Sequence, residues 1–387
     1  MENPMVIRST LNSILKRFER KLVTTNLIEI HQKAILANYD LVKAVNPGSE
    51  VWPVLKSNAY GHGIQQVAQI LKQRSFAYIV ADSYYEALKI REISHQPVLL
   101  IGYTPPENFP IMDFRGLALA IYDLATIHAL GKLGKKIAVH IKINTGMNRQ
   151  GIKLARIPEF IDVLRLYPQL KLEGICSHLA DADGENVLYT NKQAAEFSQA
   201  VSAFEQTGFS IKYKHLANTA GSAKAFPNVN AIRLGIGLYG FNPLHPKDPE
   251  HKKLQGLKPA LRFISTITNV TKLQPGEKVS YNCTYTAEKR MSVGVLPVGY
   301  YELYDRRLSN KGFVKCGGQF FPIVGRVCMN LTVIDLQDTG AKVGDKVEVI
   351  SLNHTDKNSI TTMATTCGTI PYEILVKINE STRRVVK

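Results

Sequence analysis

The strongest constraint on the fold is a regular alternation between residues 24 and 239. Short apolar runs rich in β-branched residues alternate there with longer amphipathic stretches, which is typical of βα units around a parallel sheet. The candidate strands are residues 51–55, 77–81, 98–102, 117–121, 137–143, 172–177, 213–217 and 231–234. Eight such units predict a (β/α)8 TIM-like barrel, whose functional residues lie in the loops after the carboxyl ends of the strands.

After this region the chain changes character, which predicts a second domain. The segment 241–258 is rich in Pro, Lys and His and has no apolar periodicity, so we interpret it as a linker. Short β-rich runs separated by Gly-containing turns follow it and indicate a smaller all-β domain. The predicted fold class is α/β plus β, with an N-terminal barrel at residues 24–250 and a C-terminal β-domain at residues 251–387.

Residues 1–23 are predicted to form a basic amphipathic extension. Their apolar residues fall on one helical face, with Arg and Lys residues beside them. A membrane-surface or targeting helix is one interpretation. We favour a helix that packs on its own domain or on a partner subunit, because Glu2 and Glu19 dilute the basic character.

Composition and charge narrow the classes of function. The chain has 45% hydrophobic and 21% charged residues, which is typical of a soluble globular protein, and no apolar run is long enough to span a bilayer. Its net charge of +16 is scattered and suits anionic ligands. Nucleic-acid binding is a remote alternative, because no zinc-finger, RNP or basic-zipper pattern is present.

Cysteine usage predicts an intracellular protein without a metal site. The five cysteines are odd in number and never spaced as C-x-x-C, so we expect neither a disulfide framework nor a zinc site. The N-terminus lacks the apolar core and cleavage site of a secretory signal. A reducing cytoplasm is therefore the expected compartment.

Lys56 is the first candidate catalytic residue, since it ends the apolar run in VWPVLKSNAYGHG. A desolvated lysine at a barrel mouth is nucleophilic toward an aldehyde, although a lysine after an apolar run is by itself more often a surface residue. The segment VLKSNAYGHG resembles the cofactor-lysine signature of the alanine racemase family, and the resemblance extends from Thr24 to the C-terminus. It implies that Lys56 holds pyridoxal 5'-phosphate, with Tyr60 at the cofactor.

A second stretch of resemblance is IKINTGMNRQG. It implies that Arg149 binds the substrate carboxylate and touches the phenolic oxygen of the cofactor. Lys142 matches a lysine that is often carbamylated in this family, a modification that would create an anion able to orient Arg149. Asn144 departs from the family, in which aspartate is common at this position.

Three further segments, GICSHLADAD, KHLANTAG and IRLGIGLYG, resemble the family's cofactor site. The resemblance implies that His178 lies near the pyridine ring and that Arg233 faces the pyridine nitrogen. Arginine keeps its proton in proteins, so this nitrogen would stay unprotonated and transamination would be disfavoured. The group expected around the phosphate consists of Asn218, Thr219, Gly235 and Ile236, which follow the last barrel strands as a phosphate cradle requires.

In the predicted β-domain, GEKVSYNCTYTAE resembles the segment that bears the second base. This implies that Tyr281 acts opposite Lys56 and enters the barrel of the other subunit, which makes a homodimer the catalytic unit. Tyr300 and the Met329 backbone are expected at the substrate, and Tyr372 at the phosphate. Departures from the family occur at residues 301–303 and at Asn330, where aspartate is frequent.

The resemblance implies racemisation of L- and D-alanine by two bases, because inversion requires access to both faces of the α-carbon. The family's role is to supply D-alanine for peptidoglycan. A racemase of broader spectrum, acting on serine or other amino acids, is the alternative within this class. A non-catalytic pyridoxal-phosphate carrier built on the same barrel is an alternative from another class, which the presence of a β-domain disfavours.

Overall fold

The computed structural model describes residues 23–337 and 339–387. The predicted N-terminal extension lies outside the described residues, apart from Val23. The described chain forms two compact units. The barrel unit contains Glu29–Arg262, Ile350–Glu380 and Arg384–Lys387, and the β unit contains residues 23–28, Phe263–Val349 and Ser381–Arg383.

Parallel strands close into the predicted barrel. The first strands of the chain are β1 (Leu27–Ile30), β2 (Glu50–Pro53), β3 (Ile79–Ala81), β4 (Val98–Leu100), β5 (Leu117–Ile121), β6 (Ile137–Lys142), β7 (Leu170–Cys176), β8 (Tyr213–His215) and β9 (Ala231–Leu234). Strands β3 to β8 pair in sequence order, and β2 pairs in parallel with β9. A bridge between Val54 and Val80 connects the second and third strands, and a hydrogen bond from the Arg233 N–H to the Ala217 carbonyl closes the ring.

The barrel prediction is confirmed strand by strand. The bounds of β5 and β9 agree with the expected ones, and those of the other six differ by one or two residues at one or both ends. Strands β3, β4, β5 and β9 are buried at every position. Burial on both faces explains why continuous apolar runs, and not strict alternation, mark β3, β4 and β5 in the sequence, whereas β9 contains the buried Arg233.

Helices alternate with the strands in the barrel unit. They are α1 (Gln32–Val45), α2 (Ile64–Leu71), α3 (Tyr84–Arg91), α4 (Leu124–Gly131), α5 (Ile157–Arg165), α6 (Val187–Gln206), α7 (Ile360–Thr366) and α8 (Pro371–Val376). Side chains of Ser83, Asp123, Asn186 and Ser359 accept a backbone N–H at the start of four of them. Such caps satisfy donors that the first helical turn leaves free.

The β unit has the predicted strand-rich character. The remaining strands of the chain are β10 (Leu261–Thr266), β11 (Asn269–Leu273), β12 (Lys278–Val279), β13 (Tyr285–Thr286), β14 (Met291–Leu296), β15 (Phe313–Cys316), β16 (Gln319–Pro322), β17 (Thr332–Asp335), β18 (Lys346–Ile350) and β19 (Arg384–Val386). Strand β14 lies between β11 and β17 in an antiparallel sheet. Its buried face packs with Val279, Ala287 and Val324 in an apolar core.

The compact units divide the chain at different points from the predicted domains. Residues 251–262 and 350–380 pack with the barrel unit, because Leu254, Leu257, Ile360 and Met363 are buried apolar residues. The division at residues 250 and 251 remains a prediction about the sequence domains. Among the described residues, no helix combines the length and apolar character needed to cross a membrane.

Candidate active site

A left-handed turn follows β2 and positions the candidate lysine. Lys56 comes directly after the buried Leu55, and four successive residues, 57–60, then adopt φ angles between 51° and 55°. This conformation costs roughly 1–2 kcal/mol for each residue other than glycine. The N–H of Ser57 donates to Glu86 Oε1 at 2.6 Å and that of Ile64 to Asn58 Oδ1 at 2.8 Å. Strain of this kind is retained at functional sites. The strained turn therefore marks Lys56 as a candidate functional residue.

The barrel unit contains a cavity of about 450 Å³ that gathers the predicted residues of this unit. Its lining includes all of them: Lys56, Tyr60, Lys142, Arg149, His178, Asn218, Thr219, Arg233, Gly235, Ile236 and Tyr372. Most of them follow the carboxyl ends of barrel strands, where the ligands of such barrels bind. The fold therefore brings predicted residues into one cavity although they are more than 300 positions apart in the chain, as Lys56 and Tyr372 are.

The charge of the cavity favours an anionic ligand. Lys56, Lys142, Arg149 and Arg233 line it, and among its described lining residues only Glu373 carries a carboxylate. That carboxylate accepts a hydrogen bond from Lys377 at 2.7 Å. Burial, together with the neighbouring cations, lowers the pKa of Lys142, because a desolvated ammonium is disfavoured beside like charges. An anion bound among these groups would relieve their mutual repulsion.

Gly235 and Gly237 shape one end of the cavity. A Cβ atom at Gly235 would lie 2.7 Å from the Tyr60 hydroxyl oxygen, and one at Gly237 would lie 2.6 Å from the Thr219 methyl carbon. The N–H of Gly237 donates to Thr219 Oγ1 at 3.2 Å. A side chain at either glycine would crowd Tyr60 or Thr219, so the backbone here lies close to the Thr219 hydroxyl, in an arrangement suited to a phosphate cradle.

Arg233 is a rigid buried cation on the cavity wall. Its guanidinium donates to the carbonyl of His215 at 2.6 Å and to that of Ser177 at 2.7 Å. It also approaches Nδ1 of His215 at 2.8 Å and Nδ1 of His178 at 3.3 Å. Burial first, and then the charge of Arg233, lower the pKa of His178 to about 3. A neutral imidazole therefore stands beside a fixed positive charge near pH 7.

Sequence reasoning missed the histidines behind Arg233. His140 Nδ1 lies 2.8 Å from His215 Nε2, and both side chains are completely buried. The available signal was two histidines within strands β6 and β8, which alone favours packing residues. His215 lines the cavity, and His140 is linked to the cavity through His215.

Gln150 and Tyr122 were also missed. The ammonium of Lys142 donates to Gln150 Oε1 at 2.7 Å, and Gln150 Nε2 donates to the Tyr122 hydroxyl at 3.2 Å. Gln150 is adjacent to Arg149 in the sequence, but adjacency does not predict which side chain turns toward the lysine. The amide of Gln150 thus orients the Lys142 side chain.

Two tyrosines complete the glycine-lined end of the cavity. The rings of Tyr60 and Tyr372 lie 6.0 Å apart, and the Tyr60 ring also packs 5.0 Å from that of Tyr239. Burial raises the pKa of Tyr60 to about 12 and that of Tyr372 above its ordinary value. Both hydroxyls stay protonated near pH 7 and can donate hydrogen bonds to an anion.

The three predicted residues of the β unit are exposed in the single chain. Among the described residues, Tyr281, Tyr300 and Met329 are not part of the cavity lining, and they are 67%, 43% and 55% exposed. Tyr281 lies between residues with positive φ angles, Ser280 at 63° and Asn282 at 59°. The Ser280 hydroxyl holds this turn by donating to the Arg326 carbonyl at 2.7 Å.

A metal site is not apparent in the part of the chain that the structure describes. No group of three His, Cys, Asp or Glu side chains there has the arrangement that could hold an ion. The cavity chemistry is instead that of amines, guanidinium groups, hydroxyls and backbone N–H groups.

Comparison with known proteins identifies the family. Residues 30–243 match the model of the alanine racemase N-terminal domain, and residues 260–386 match that of the C-terminal domain. An alanine racemase of Methanococcus maripaludis is 33% identical over 366 residues, which cover 92% of this chain and 97% of that protein.

Solved structures agree with this match. The alanine racemase of Clostridium difficile 630 has a TM-score of 0.86 and 30% identity, covering 95% of this chain and 97% of that one. That of Bartonella henselae, which contains covalently bound pyridoxal phosphate, has a TM-score of 0.82 and 25% identity, covering 94% and 100%. These similarities cover nearly the full length of this chain and of those proteins. The chain belongs to the alanine racemase family.

Proposed function

We propose that this chain interconverts L-alanine and D-alanine with pyridoxal 5'-phosphate held by Lys56. The observation that carries the proposal is the position of Lys56 at the end of β2, in a cavity lined by three further cations. The relatives named above are alanine racemases, and the chain covers nearly their full length.

The residues of the cavity fit this cofactor. The glycine-lined end has little room for a side chain at Gly235, and it offers the Thr219 hydroxyl to a phosphate. Asn218, Ile236, Tyr60 and Tyr372 line the same cavity, and the two phenols can donate to phosphate oxygens. The amine of Lys56 is the group that would bond covalently to the aldehyde.

When bound, the cofactor withdraws electrons from the α-carbon of an amino acid and thereby makes its α-proton removable. Arg233 would face the ring nitrogen with His178 beside the ring. Because the buried guanidinium only donates hydrogen bonds, it would keep this nitrogen unprotonated. A weaker electron sink favours return of the proton over transamination.

Two bases on opposite faces would move the proton. Lys56 would exchange the proton of the D-enantiomer, and Tyr281 that of the L-enantiomer. Tyr281 is exposed in the single chain, so it is available to reach the barrel of a partner subunit in a homodimer. Each active site would then need residues of both subunits.

The substrate carboxylate would be bound by Arg149, the Met329 backbone N–H and the Tyr300 side chain. Lys142 would orient Arg149, as an ammonium bonded to Gln150 or as a carbamate. Its lowered pKa increases the fraction of neutral amine, which is the form that adds to carbon dioxide. The product would be an anion among three cations.

The proposed role is supply of D-alanine for peptidoglycan in the cytoplasm. The departures at Asn144, Asn330 and residues 301–303 also suit the second candidate, a racemase that accepts serine or other amino acids. Kinetics on a panel of L-amino acids distinguishes the two. A non-catalytic cofactor carrier would bind pyridoxal phosphate without racemising any of them.

The test combines covalent trapping with activity. Borohydride reduction of the yellow holoprotein should attach the cofactor to the peptide that contains Lys56, and L-alanine should lose optical rotation with the unreduced enzyme. Lys56→Ala should abolish both signals, whereas Lys153→Ala, at an exposed position, should leave both unchanged. Cofactor trapped on another lysine, or no racemisation of any amino acid, would refute the proposal.

A further inference from the structure

A side-chain pair in the β unit joins two loops that carry proposed substrate contacts. Nδ2 of Asn330 donates to Glu302 Oε1 at 2.8 Å, and the N–H of Gly299 donates to Glu302 Oε2 at 2.8 Å. Each carboxylate oxygen therefore has its own donor. Glu302 is only 9% exposed, so its charge is largely removed from water and depends on these two hydrogen bonds.

Backbone contacts connect the same two loops. The N–H groups of Tyr300 and Tyr301 donate to the carbonyls of Cys328 and Met329 at 3.1 and 2.9 Å. A Cβ atom at Gly299 would lie 2.1 Å from the Cys328 carbonyl oxygen, so the loops approach as closely as glycine permits. Tyr300 and Met329, two proposed substrate contacts, therefore lie where the loops meet.

The first of these loops is strained and needs external restraint. Leu303 has a φ angle of 127°, a conformation that favours glycine, and its side chain is completely buried. The N–H of the next residue, Tyr304, donates to the Gly299 carbonyl at 2.9 Å. A backbone of this kind persists only when its surroundings over-determine it, and Glu302 supplies side-chain restraint from within the loop.

We propose that Glu302 and Asn330 form a clamp that positions Tyr300 and the Met329 backbone and thereby limits the substrate side chain that the site accepts. This role rests on the proposed function. In this chain the amide at residue 330 donates a hydrogen bond to the Glu302 carboxylate, whereas an aspartate there would set two carboxylates against each other. The departure from the family pattern at residue 330 is thus complementary to the carboxylate of Glu302.

Reversal of the hydrogen-bond polarity tests the clamp. Asn330→Asp should repel Glu302 and raise KM for L-alanine about tenfold, with a smaller effect on kcat. The double variant Glu302→Gln with Asn330→Asp restores a donor, because the glutamine amide can donate to the new carboxylate while its oxygen accepts from Gly299. It should recover most of the wild-type KM. Asn269→Asp adds the same charge at an exposed position of β11 and should behave as the wild type.

The readouts separate this proposal from the proposed function. The preference for L-alanine over L-serine in kcat/KM should fall in Asn330→Asp and return in the double variant, while the cofactor absorbance of all variants stays equal. A wild-type KM in Asn330→Asp, or a double variant no better than the single one, would overturn the clamp. If the wild type racemised no amino acid, the proposed function would fail. The clamp would then be tested by the melting temperature, which should fall in Asn330→Asp and recover in the double variant.

Discussion

Arg233 lies 2.8 Å from Nδ1 of His215, and this contact determines where the protons of the barrel interior reside. Arginine only donates, so Nδ1 accepts and a neutral His215 carries its proton on Nε2. That proton points to Nδ1 of His140 at 2.8 Å, which leaves the His140 proton on its own Nε2. Burial lowers the pKa of both histidines, so both are neutral near pH 7. The guanidinium is thus the one permanent charge of this group.

Replacing His215 should therefore destabilise the barrel. His215→Phe keeps an aromatic ring but removes the Nδ1 acceptor of the buried Arg233 guanidinium. This loss should lower the free energy of unfolding by about 2 kcal/mol. Urea unfolding of the cofactor-free protein measures this loss. Equal stability of variant and wild type would show that the arginine does not depend on the imidazole.

Gly235→Ala should weaken cofactor binding. The new methyl group would lie 2.7 Å from the Tyr60 hydroxyl oxygen. The buried Tyr60 side chain would have to shift, and affinity for the cofactor should fall about tenfold or more. Titration of the cofactor-free protein with pyridoxal phosphate gives the dissociation constant. Gly48→Ala is the matched control, since nothing lies within 4 Å of its Cβ position.

Lys142 should form a carbamate when carbon dioxide is present. Its pKa is lowered, mainly by burial, so a larger share of the amine is neutral and can attack carbon dioxide with release of a proton to solvent. Protein equilibrated with ¹³C-bicarbonate should give a carbamate ¹³C NMR signal that Lys142→Met abolishes. A signal that persists in this variant would belong to another amine.

Tyr281→Phe should separate catalysis from cofactor binding. Loss of the phenol removes one of the two proposed bases, and turnover of L-alanine should fall at least about 100-fold. The cofactor absorbance should remain, because Tyr281 is not part of the described lining of the barrel cavity. Normal racemisation by the variant would exclude this tyrosine as a base.

The barrel unit should lose stability as the pH falls below 6.5. Burial lowers the pKa of His62 and of His140 from 6.5 to about 3, so the unfolded chain binds protons that the folded chain does not. Stability is complete above 6.5 and decreases as the pH falls toward 3, by about 2 kcal/mol for each such histidine at pH 5.

His62→Gln tests this pH dependence. His62 lies 3.0 Å from the Tyr60 carbonyl through Nδ1, and a glutamine amide can replace that donor without titrating. Urea unfolding at pH 7.5 and 5.0 should give a smaller difference for the variant than for the wild type. An unchanged difference would mean that His62 does not contribute to acid sensitivity.

Local sequence patterns predicted the barrel and most of the residues that line its cavity. Strand β5 is a continuous apolar run because both of its faces are buried, and local composition alone reveals this. Lys56 and Arg149 follow strands and Arg233 lies within β9, so their positions on the barrel follow from the strand order. Local sequence therefore suffices to predict the position of a residue when that position depends only on the strand or loop that contains it.

Contacts between distant side chains followed from the folded chain and not from local sequence. The contacts of Lys142 with Gln150, of His215 with Arg233 and of Asn330 with Glu302 join loops or strands whose relative approach no local pattern encodes. The same holds for residues 350–380, which return to the barrel unit because their apolar side chains are buried there. Packing and hydrogen bonding act between segments that are distant in the sequence. Their partners can therefore be identified only from the folded structure.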